Sequence, residues 1–293
     1  MIRYDISEAD LLARIDARKP GWRVRAAAAT ALFRRAGVYG EPGDASWDLQ
    51  TYGPPPRPFW GEIKAVYMRL QRNKCAFCER KLTTRTKDHD VEHFRPKRAV
   101  AAWPLLPTDP PLSEGYFLLA YHPLNYATAC EHCNRGLKRS FFPIAGARLP
   151  GRDDPAHLAP ERPLLIYPIG RADPDPEDLL GFRGIIPVPK SADTDTHEHD
   201  RARVTIGFFE LDGREELRRE RAEVIQHLYL SLAHEDAPRA SLRLLARRTI
   251  RQRTGAGSQH TNCARCFVAL FREDSERARR LALAATRFLG ALS

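Results

Sequence analysis

Two C-x-x-C pairs constrain the fold of this chain more than any other feature of its sequence. Cys75 and Cys78 form the first pair, and Cys130 and Cys133 form the second. Structural zinc sites are tetrahedral, and two such turns supply the four thiolates that close one. We therefore expect a zinc site that ties together the ends of the stretch 75–133. Four thiolates leave no open position for a substrate, so the expected role is structural.

The distance between the two pairs shapes this interpretation. Fifty-one residues separate Cys78 from Cys130, which is longer than the spacing of an ordinary zinc ribbon. That length suits a zinc site that encloses an inserted functional unit. The alternative is four buried cysteines that are unrelated to each other. A further pair, Cys263 and Cys266, lies in a stretch expected to be helical and has no second pair, so packing is favoured over zinc binding there.

Composition limits the class of protein and the kind of partner. The chain has 293 residues, of which 43% are hydrophobic and 29% charged, as is ordinary for a globular protein. Its net charge of +10 fits a polyanionic partner such as nucleic acid, although a basic surface can also be merely solvated. No apolar signal core follows Met1, and no run reaches the roughly 18 apolar residues of a membrane span. These features favour a cytoplasmic protein with no membrane contact.

Hydrophobic patterning divides the chain into three segments and predicts an α+β fold. Residues 1–58 are expected to be helical and to end in a linker rich in Gly and Pro. Residues 59–145 form the central unit, and residues 146–293 are expected to be mixed and then helical. Within the central unit the expected order is strand, loop, strand, helix. The three elements are Val91–Phe94, Asn125–Thr128 and Cys130–Lys138.

Outside the central strands, capping residues and apolar runs predict further elements. Ser7 marks the start of a first helix, and a second helix is expected over Trp22–Arg35 with Gly37 as its stop. A third helix is expected over Phe59–Arg72. The further expectations are strands at Leu164–Tyr167 and Val204–Leu211, a hairpin over Phe182–Ile186, and three helices, of which the first is capped by Asp212 and the others cover Pro238–Arg253 and Asp274–Leu289.

The pair Glu92 and His93 suggests chemistry on a phosphodiester. Its hydrolysis needs a base that activates water and a cation that offsets the developing charge. His93 suits the base, since imidazole titrates near neutral pH. Neighbours in an extended strand point to opposite faces, so both side chains meet one site only if the strand ends there. The alternative is a solvated surface pair.

Two asparagines and several cations accompany this pair. The amide oxygen of Asn134 can ligate a hard cation such as Mg²⁺. Asn125 can hydrogen-bond the backbone and shape the loop after His93, although an Asn that ends a Pro-Leu turn is also common. The cations that can contact phosphate are Arg95, Lys97, Arg135 and Lys138, with a solvated charged face as the alternative.

Together these motifs resemble the HNH endonuclease family. The segments are C-A-F-C at 75–78, D-V-E-H-F-R-P-K at 90–97, L-N at 124–125, and C-x-x-C-N-x-x-x-K at 130–138 followed by F-P at 142–143. That family has the ββα-metal, or His-Me finger, fold. Within it, the sequence is similar to the HNH proteins encoded beside ATPases in bacterial anti-phage systems of the Septu and retron-associated type.

The resemblance implies a role for each matching residue. His93 would be the general base, and Asn125 would hold the loop that bears it. Glu92 would ligate the catalytic metal, Mg²⁺ or Mn²⁺. Asn134 takes the place where many members carry a final His, and would be the second metal ligand.

We therefore expect a metal-dependent HNH endonuclease, with DNA favoured over RNA as substrate. The resemblance implies an effector nuclease of an anti-phage system with an ATPase partner. One alternative is a zinc-stabilised nucleic-acid-binding module without chemistry, which would not need Glu92, His93 and Asn134. Another is a subunit controlled by a partner that docks on the arginine-rich helices after Asp212.

Overall fold

Two units organise the chain, and neither is one continuous stretch of sequence. The N-terminal unit comprises Tyr4–Gln71 and Thr83–Asp173. The C-terminal unit comprises Met1–Arg3, Arg72–Leu82 and Pro174–Ser293. These units cross the segments 1–58, 59–145 and 146–293 that composition indicates. The structure, a computed structural model, describes residues 1–83, 88–106 and 108–291.

The first two helices of the N-terminal unit follow the capping residues in the sequence. Helix α1 (Glu8–Arg18) begins after Ser7, whose hydroxyl accepts the backbone N–H of Asp10. Helix α2 (Trp22–Ala36) ends at Gly37, which has a φ of 69°. Glycine adopts this left-handed conformation without a steric cost, so the helix stops there. The structure confirms both predicted helices.

Shorter helices connect α2 to the strands of the same unit. Helix α3 (Leu49–Tyr52) lies in the Gly- and Pro-rich linker. The third predicted helix is present as two consecutive pieces, a 3-10 turn (Trp60–Ile63) and helix α4 (Lys64–Leu70). The buried side chain of Tyr67 on α4 donates its hydroxyl hydrogen to the carbonyl of Pro123 at 2.7 Å.

The predicted order of strand, strand and helix is present in the N-terminal unit. Strand β1 (His89–His93) pairs antiparallel with β2 (Tyr126–Cys130), and the register places His93 opposite Tyr126. Two 3-10 turns, Phe117–Leu119 and Pro123–Asn125, precede β2. A short π-helix (His132–Lys138) follows it in place of the predicted α-helix. The N–H of Arg139 donates to the carbonyl of Asn134 at 2.8 Å, the five-residue spacing that defines a π-turn.

The C-terminal unit contains the predicted hairpin and a set of helices. Helix α5 (Pro176–Leu179) leads into β3 (Leu180–Arg183), which pairs antiparallel with β4 (Ile186–Pro189). Gly184, with a φ of 60°, makes the turn between the strands. The other helices are α6 (His197–Phe208), α7 (Glu215–Leu232), α8 (Ala240–Thr254), α9 (Thr261–Glu273) and α10 (Ser275–Gly290). No helix of the described residues is long and apolar enough to cross a membrane.

Two strand predictions and one capping prediction are wrong. Most of the run Val204–Leu211 is helical, because Thr196 caps α6 and the helix buries apolar side chains on several sides. Such a helix lacks the periodicity that distinguishes it from a buried strand. Leu164–Tyr167 is buried, but only isolated bridges flank it and no ladder forms in the described chain. Helix α7 begins after Arg214 rather than after Asp212.

Candidate active site and metal centre

The four cysteines of the two C-x-x-C pairs lie together. Their Sγ atoms all lie within 4.8 Å of one another. Cys75, Cys78 and Cys133 are buried, and Cys130 is half-buried. Four thiolates at this spacing are the donor set of a closed tetrahedral site, so the cluster could hold a metal ion such as zinc. It is the only such group of three or more His, Cys, Asp or Glu residues in the described part of the chain.

The further cysteine pair lies in the helical part of the C-terminal unit. Cys263 and Cys266 lie on α9, one turn apart. Burial raises the pKa of the Cys263 thiol to about 12, so this thiol stays protonated near neutral pH. The Cys266 thiol lies 3.2 Å from the side-chain oxygen of Asn262. Both observations agree with the expectation of packing.

A cleft of ≈ 360 Å³ is lined by residues from the end of β1 and from the π-helix. Glu92 and His93, although adjacent in sequence, both line it. The last four residues of β1, Asp90 to His93, all line this cleft, which therefore lies at the end of the strand. Asn134 of the π-helix lines the same cleft. The other lining residues with polar or aromatic side chains are Trp60, Asp90, Lys97, Arg98, Arg135, Arg139 and Ser140.

The imidazole of His93 is held by its surroundings. Its Nε2–H donates to the carbonyl oxygen of Ala120 at 3.0 Å, because that oxygen can only accept. The unprotonated nitrogen is therefore Nδ1. The rings of Trp60 and Tyr126 meet the imidazole at 88°, with centroids 4.8 and 5.0 Å away. Burial, and secondly the charge of Lys97, lowers the pKa of His93 well below its usual value. The ring is consequently neutral near neutral pH.

Glu92 faces a buried cation. Only 5% of the residue is exposed, and one carboxylate oxygen lies 3.4 Å from Nζ of Lys138. Burial raises the pKa of Glu92, and the attraction to Lys138 offsets part of that effect. Lys138 is itself fully buried, and burial lowers the pKa of its ammonium group. A fully buried ammonium group is not available as a surface contact for phosphate.

Asn125 fixes the backbone immediately after His93. The side chain is buried, and its Oδ1 accepts the N–H of Arg95 at 2.8 Å. Its Nδ2 donates to the carbonyls of Arg95 at 3.0 Å and Leu119 at 3.1 Å. The backbone carbonyl of Asn125 accepts the N–H of Phe94 at 2.8 Å. One asparagine therefore satisfies successive polar groups of the segment that leaves β1.

The four cations expected to contact phosphate divide into two groups. Arg95 and Lys138 are both buried. The Nε atom of Arg95 lies 3.2 Å from a carboxylate oxygen of Glu161, which is fully buried. Lys97 and Arg135 line the cleft. The sequence does not distinguish the groups, because Glu161 lies 66 residues from Arg95 along the chain.

Three residues at or near the cleft lie outside the sequence motifs. Trp60 comes from a 3-10 turn far upstream of β1, and Nζ of Lys97 lies 4.6 Å from the centre of its ring. Arg98 also lines the cleft. Its position directly after Lys97 in the sequence could have indicated this. Glu161 accepts hydrogen bonds from Tyr116 and from Leu149 N–H, both at 2.8 Å, besides pairing with Arg95. No motif marked Trp60 or Glu161.

These features define an α+β protein with a four-cysteine cluster that could bind zinc and a cleft lined by cations. Over 174 residues the chain is 29% identical to the Septu protein PtuB of Bacillus mycoides (strain KBAB4). The alignment covers 57% of this chain and 52% of the relative, so the chain spans about half the length of that curated protein. This similarity supports a link to the Septu defence system. No family model matches the sequence, and no solved structure matches it.

Proposed function

We propose that this protein is a metal-dependent nuclease of the HNH type, in which β1, β2 and the π-helix form a ββα-metal core. The observation that carries the proposal is the state of His93, a neutral imidazole with a defined tautomer. It lines one cleft with Glu92, Asn134 and a set of cations. A histidine with a purely structural role does not need a carboxylate, an amide and cations beside it, whereas hydrolysis of a phosphodiester needs such groups.

His93 acts as the general base. Its Nδ1 takes a proton from a water molecule, and the water oxygen attacks phosphorus while the bond from phosphorus to the 3′ oxygen breaks. The hydrogen bond from Nε2–H to Ala120 keeps the lone pair on Nδ1 and stabilises the imidazolium that forms. Trp60 and Tyr126 limit rotation of the ring. Asn125 holds the backbone that follows, so the base keeps its position.

Glu92 and Asn134 are the residues that would hold a divalent cation such as Mg²⁺ or Mn²⁺. Their carboxylate and amide oxygens are hard donors, and both residues line the cleft. The fit rests on the chemistry of this donor set, and Lys138, 3.4 Å from the Glu92 carboxylate, is the partner with which the ion would share it. When bound, the ion would supply positive charge at the phosphate and the leaving oxygen.

The cations of the cleft favour a nucleic-acid substrate. Lys97 and Arg135, with Arg98 and Arg139, bring positive side chains to the cleft that contains His93. Phosphate oxygens are the natural partners of such groups, and these contacts hold a strand without reading its sequence. DNA is the favoured substrate on the family resemblance, with RNA as the competitor that the assay below includes.

Its biological role would be that of an effector nuclease in anti-phage defence. Two observations support this part of the proposal, the similarity to the Septu protein PtuB and the motif resemblance to HNH proteins encoded beside ATPases. On that resemblance an ATPase partner controls cleavage, and the protein acts in the cytoplasm.

The deciding experiment incubates purified protein with duplex DNA, single-stranded DNA and RNA. Each substrate is tested with Mg²⁺, with Mn²⁺ and with EDTA. His93→Ala should lower cleavage about 10²- to 10⁴-fold, while the protein stays folded and keeps its zinc; the melting temperature should fall modestly, because the buried ring leaves a cavity. His157→Ala removes an exposed histidine of the same unit and should leave cleavage unchanged. Undiminished cleavage by His93→Ala would exclude His93 as the base.

The pairing of Glu92 with Lys138 favours a second candidate function, a zinc-stabilised nucleic-acid-binding module without chemistry. In that case the carboxylate would be a structural partner of Lys138 and would not bind a divalent ion. Tight binding of nucleic acid that is indifferent to Mg²⁺, with no cleavage under any condition, would favour this candidate. If cleavage appears only in material that retains a co-purified protein, control by a partner gains support.

A further inference from the structure

Helix α8 exposes leucines that its own unit does not bury. Leu244 is 68% exposed and Leu245 is 60% exposed. The helix instead uses Ala246 and Ile250 to contact the core of the C-terminal unit. Leu230 on the neighbouring α7 is also 56% exposed. Leu244 and Leu245, which are adjacent in sequence, therefore expose apolar area that their own unit leaves uncovered.

Arginines surround these leucines, and α8 contains no acidic residue. Arg247 pairs with Asp236 at 3.4 Å. Arg248 and Arg251 are exposed, and the guanidinium group of neither makes an ion pair or hydrogen bond to any residue that the structure describes. The complete set of arginines on α8 is Arg243, Arg247, Arg248, Arg251 and Arg253.

Helical spacing places the two kinds of side chain on one face. Arg248 follows Leu244 by four residues and Leu245 by three, so it lies beside both on the helix surface. Arg251 follows Leu244 by seven residues, two turns further along the same side. We call Leu244, Leu245, Arg248 and Arg251 the Leu-Arg face. It combines apolar area with at least two positive charges that nothing in the described chain neutralises.

We propose that the Leu-Arg face binds an acidic amphipathic helix of a partner protein. The leucines of that helix would cover Leu244 and Leu245, and its carboxylates would pair with Arg248 and Arg251. Arginine and exposed apolar side chains are the groups that protein interfaces concentrate. Desolvation by the leucines would strengthen the charge pairs beside them. The proposal does not depend on the nuclease activity proposed above.

Two other occupants of the Leu-Arg face, a second copy of the chain and nucleic acid, fit its chemistry less well. A second copy of the chain would bring α8 against α8, and two arginine-rich surfaces with no carboxylate between them repel. Nucleic acid would satisfy Arg248 and Arg251, but phosphates give no favourable contact to Leu244 or Leu245. An acidic helix with an apolar stripe satisfies both halves of the face.

The test uses full-length protein and a pair of fluorescent 18-residue helical peptides. Both carry the same stripe of leucines; one has glutamates on its polar face, and the other has lysines. Binding is followed by fluorescence anisotropy, and the bound region is located by hydrogen exchange over 240–254. We expect the glutamate peptide to bind and to protect this segment, with an affinity that falls as salt rises. The lysine peptide should not bind.

Two variants identify the face. Leu244→Glu combined with Leu245→Glu should weaken binding of the glutamate peptide by about tenfold or more. Both sites are exposed, so the melting temperature should not change. Leu105→Glu is the matched control, because Leu105 is 74% exposed and lies in the other unit; it should bind as the wild type does.

Several results would overturn the proposal. These are equal binding of the two peptides, retention of affinity by the double variant, and absence of binding by the glutamate peptide at millimolar concentration. Protection of 240–254 by a 20-base-pair DNA duplex that survives the double variant would assign the face to nucleic acid. A dimer in solution that the double variant dissociates would assign it to a second copy of the chain.

Discussion

Asn125→Ala should destabilise the protein through the backbone it holds. The substitution removes the partner of two buried groups, the N–H and the carbonyl of Arg95. The carbonyl of Leu119 loses one donor but keeps the N–H of His122 at 3.2 Å. A buried polar group left without a partner costs about 1–3 kcal/mol. Two such groups lower the free energy of unfolding by about 4 kcal/mol.

Asn134→Ala is the matched control for stability. The same amide is removed, but the side chain of Asn134 makes no hydrogen bond to any residue that the structure describes. Its free energy of unfolding should change by less than about 0.5 kcal/mol. Under the proposed mechanism both variants lose cleavage, Asn125→Ala because the segment after His93 is released, and Asn134→Ala because a metal ligand is lost.

Urea unfolding followed by circular dichroism measures the difference. With a slope of about 2 kcal/mol per molar, the midpoint of Asn125→Ala should fall by about 2 M, while that of Asn134→Ala stays within about 0.3 M of the wild type. Equal midpoints for the two variants would refute the holding role of Asn125. Full activity of Asn134→Ala would separately refute its role as a ligand.

Three further predictions concern the cysteine cluster, the buried ion pair and the cleft. Cys133→Ser should lower bound zinc well below about one ion per chain, measured by plasma mass spectrometry, whereas Cys266→Ser should leave it unchanged. Glu161→Gln removes the buried negative charge that pairs with Arg95 and should lower the free energy of unfolding by about 3 kcal/mol; a melting temperature equal to that of the wild type would contradict this. Lys97→Ala should weaken DNA binding. It should also reduce the slope of the logarithm of the binding constant against the logarithm of salt concentration by about one, the value for one phosphate contact. Arg18→Ala, an exposed site on α1, should leave that slope unchanged.

Local signals in the sequence located most of the regular elements. Ser7 and Gly37 act within a few residues of their own position, so the ends of α1 and α2 were predictable. The strand prediction for Val204–Leu211 was wrong, because this segment is helical and is buried on several sides, which its local pattern does not indicate. A helix buried on several sides and a buried strand look alike in an apolar run of eight residues.

The motifs predicted that the four cysteines come together and that the cleft residues lie near one another. They did not predict the burial or the orientation of the individual side chains. Cys75 and Cys133 belong to recognisable pairs, and the structure brings their thiols together. The burial of Arg95 depends on Glu161, and the orientation of His93 depends on Trp60. Both partners come from distant parts of the chain, and a single sequence gives no signal of such contacts.

The π-helix His132–Lys138 makes the number of residues in this turn as important as their identity. An α-helix advances by about 100° per residue, so removing one residue to restore regular α-helical bonding would rotate whatever follows by that angle. Asn134 lies near the start of this π-helix, and Lys138 is its last residue. Deletion of Gly136 or Leu137 would keep Asn134, Arg135 and Lys138 in the sequence and yet turn Lys138 away from Glu92. Homologues with a gap in this turn should therefore be regarded as having a different site, even where each motif letter is retained.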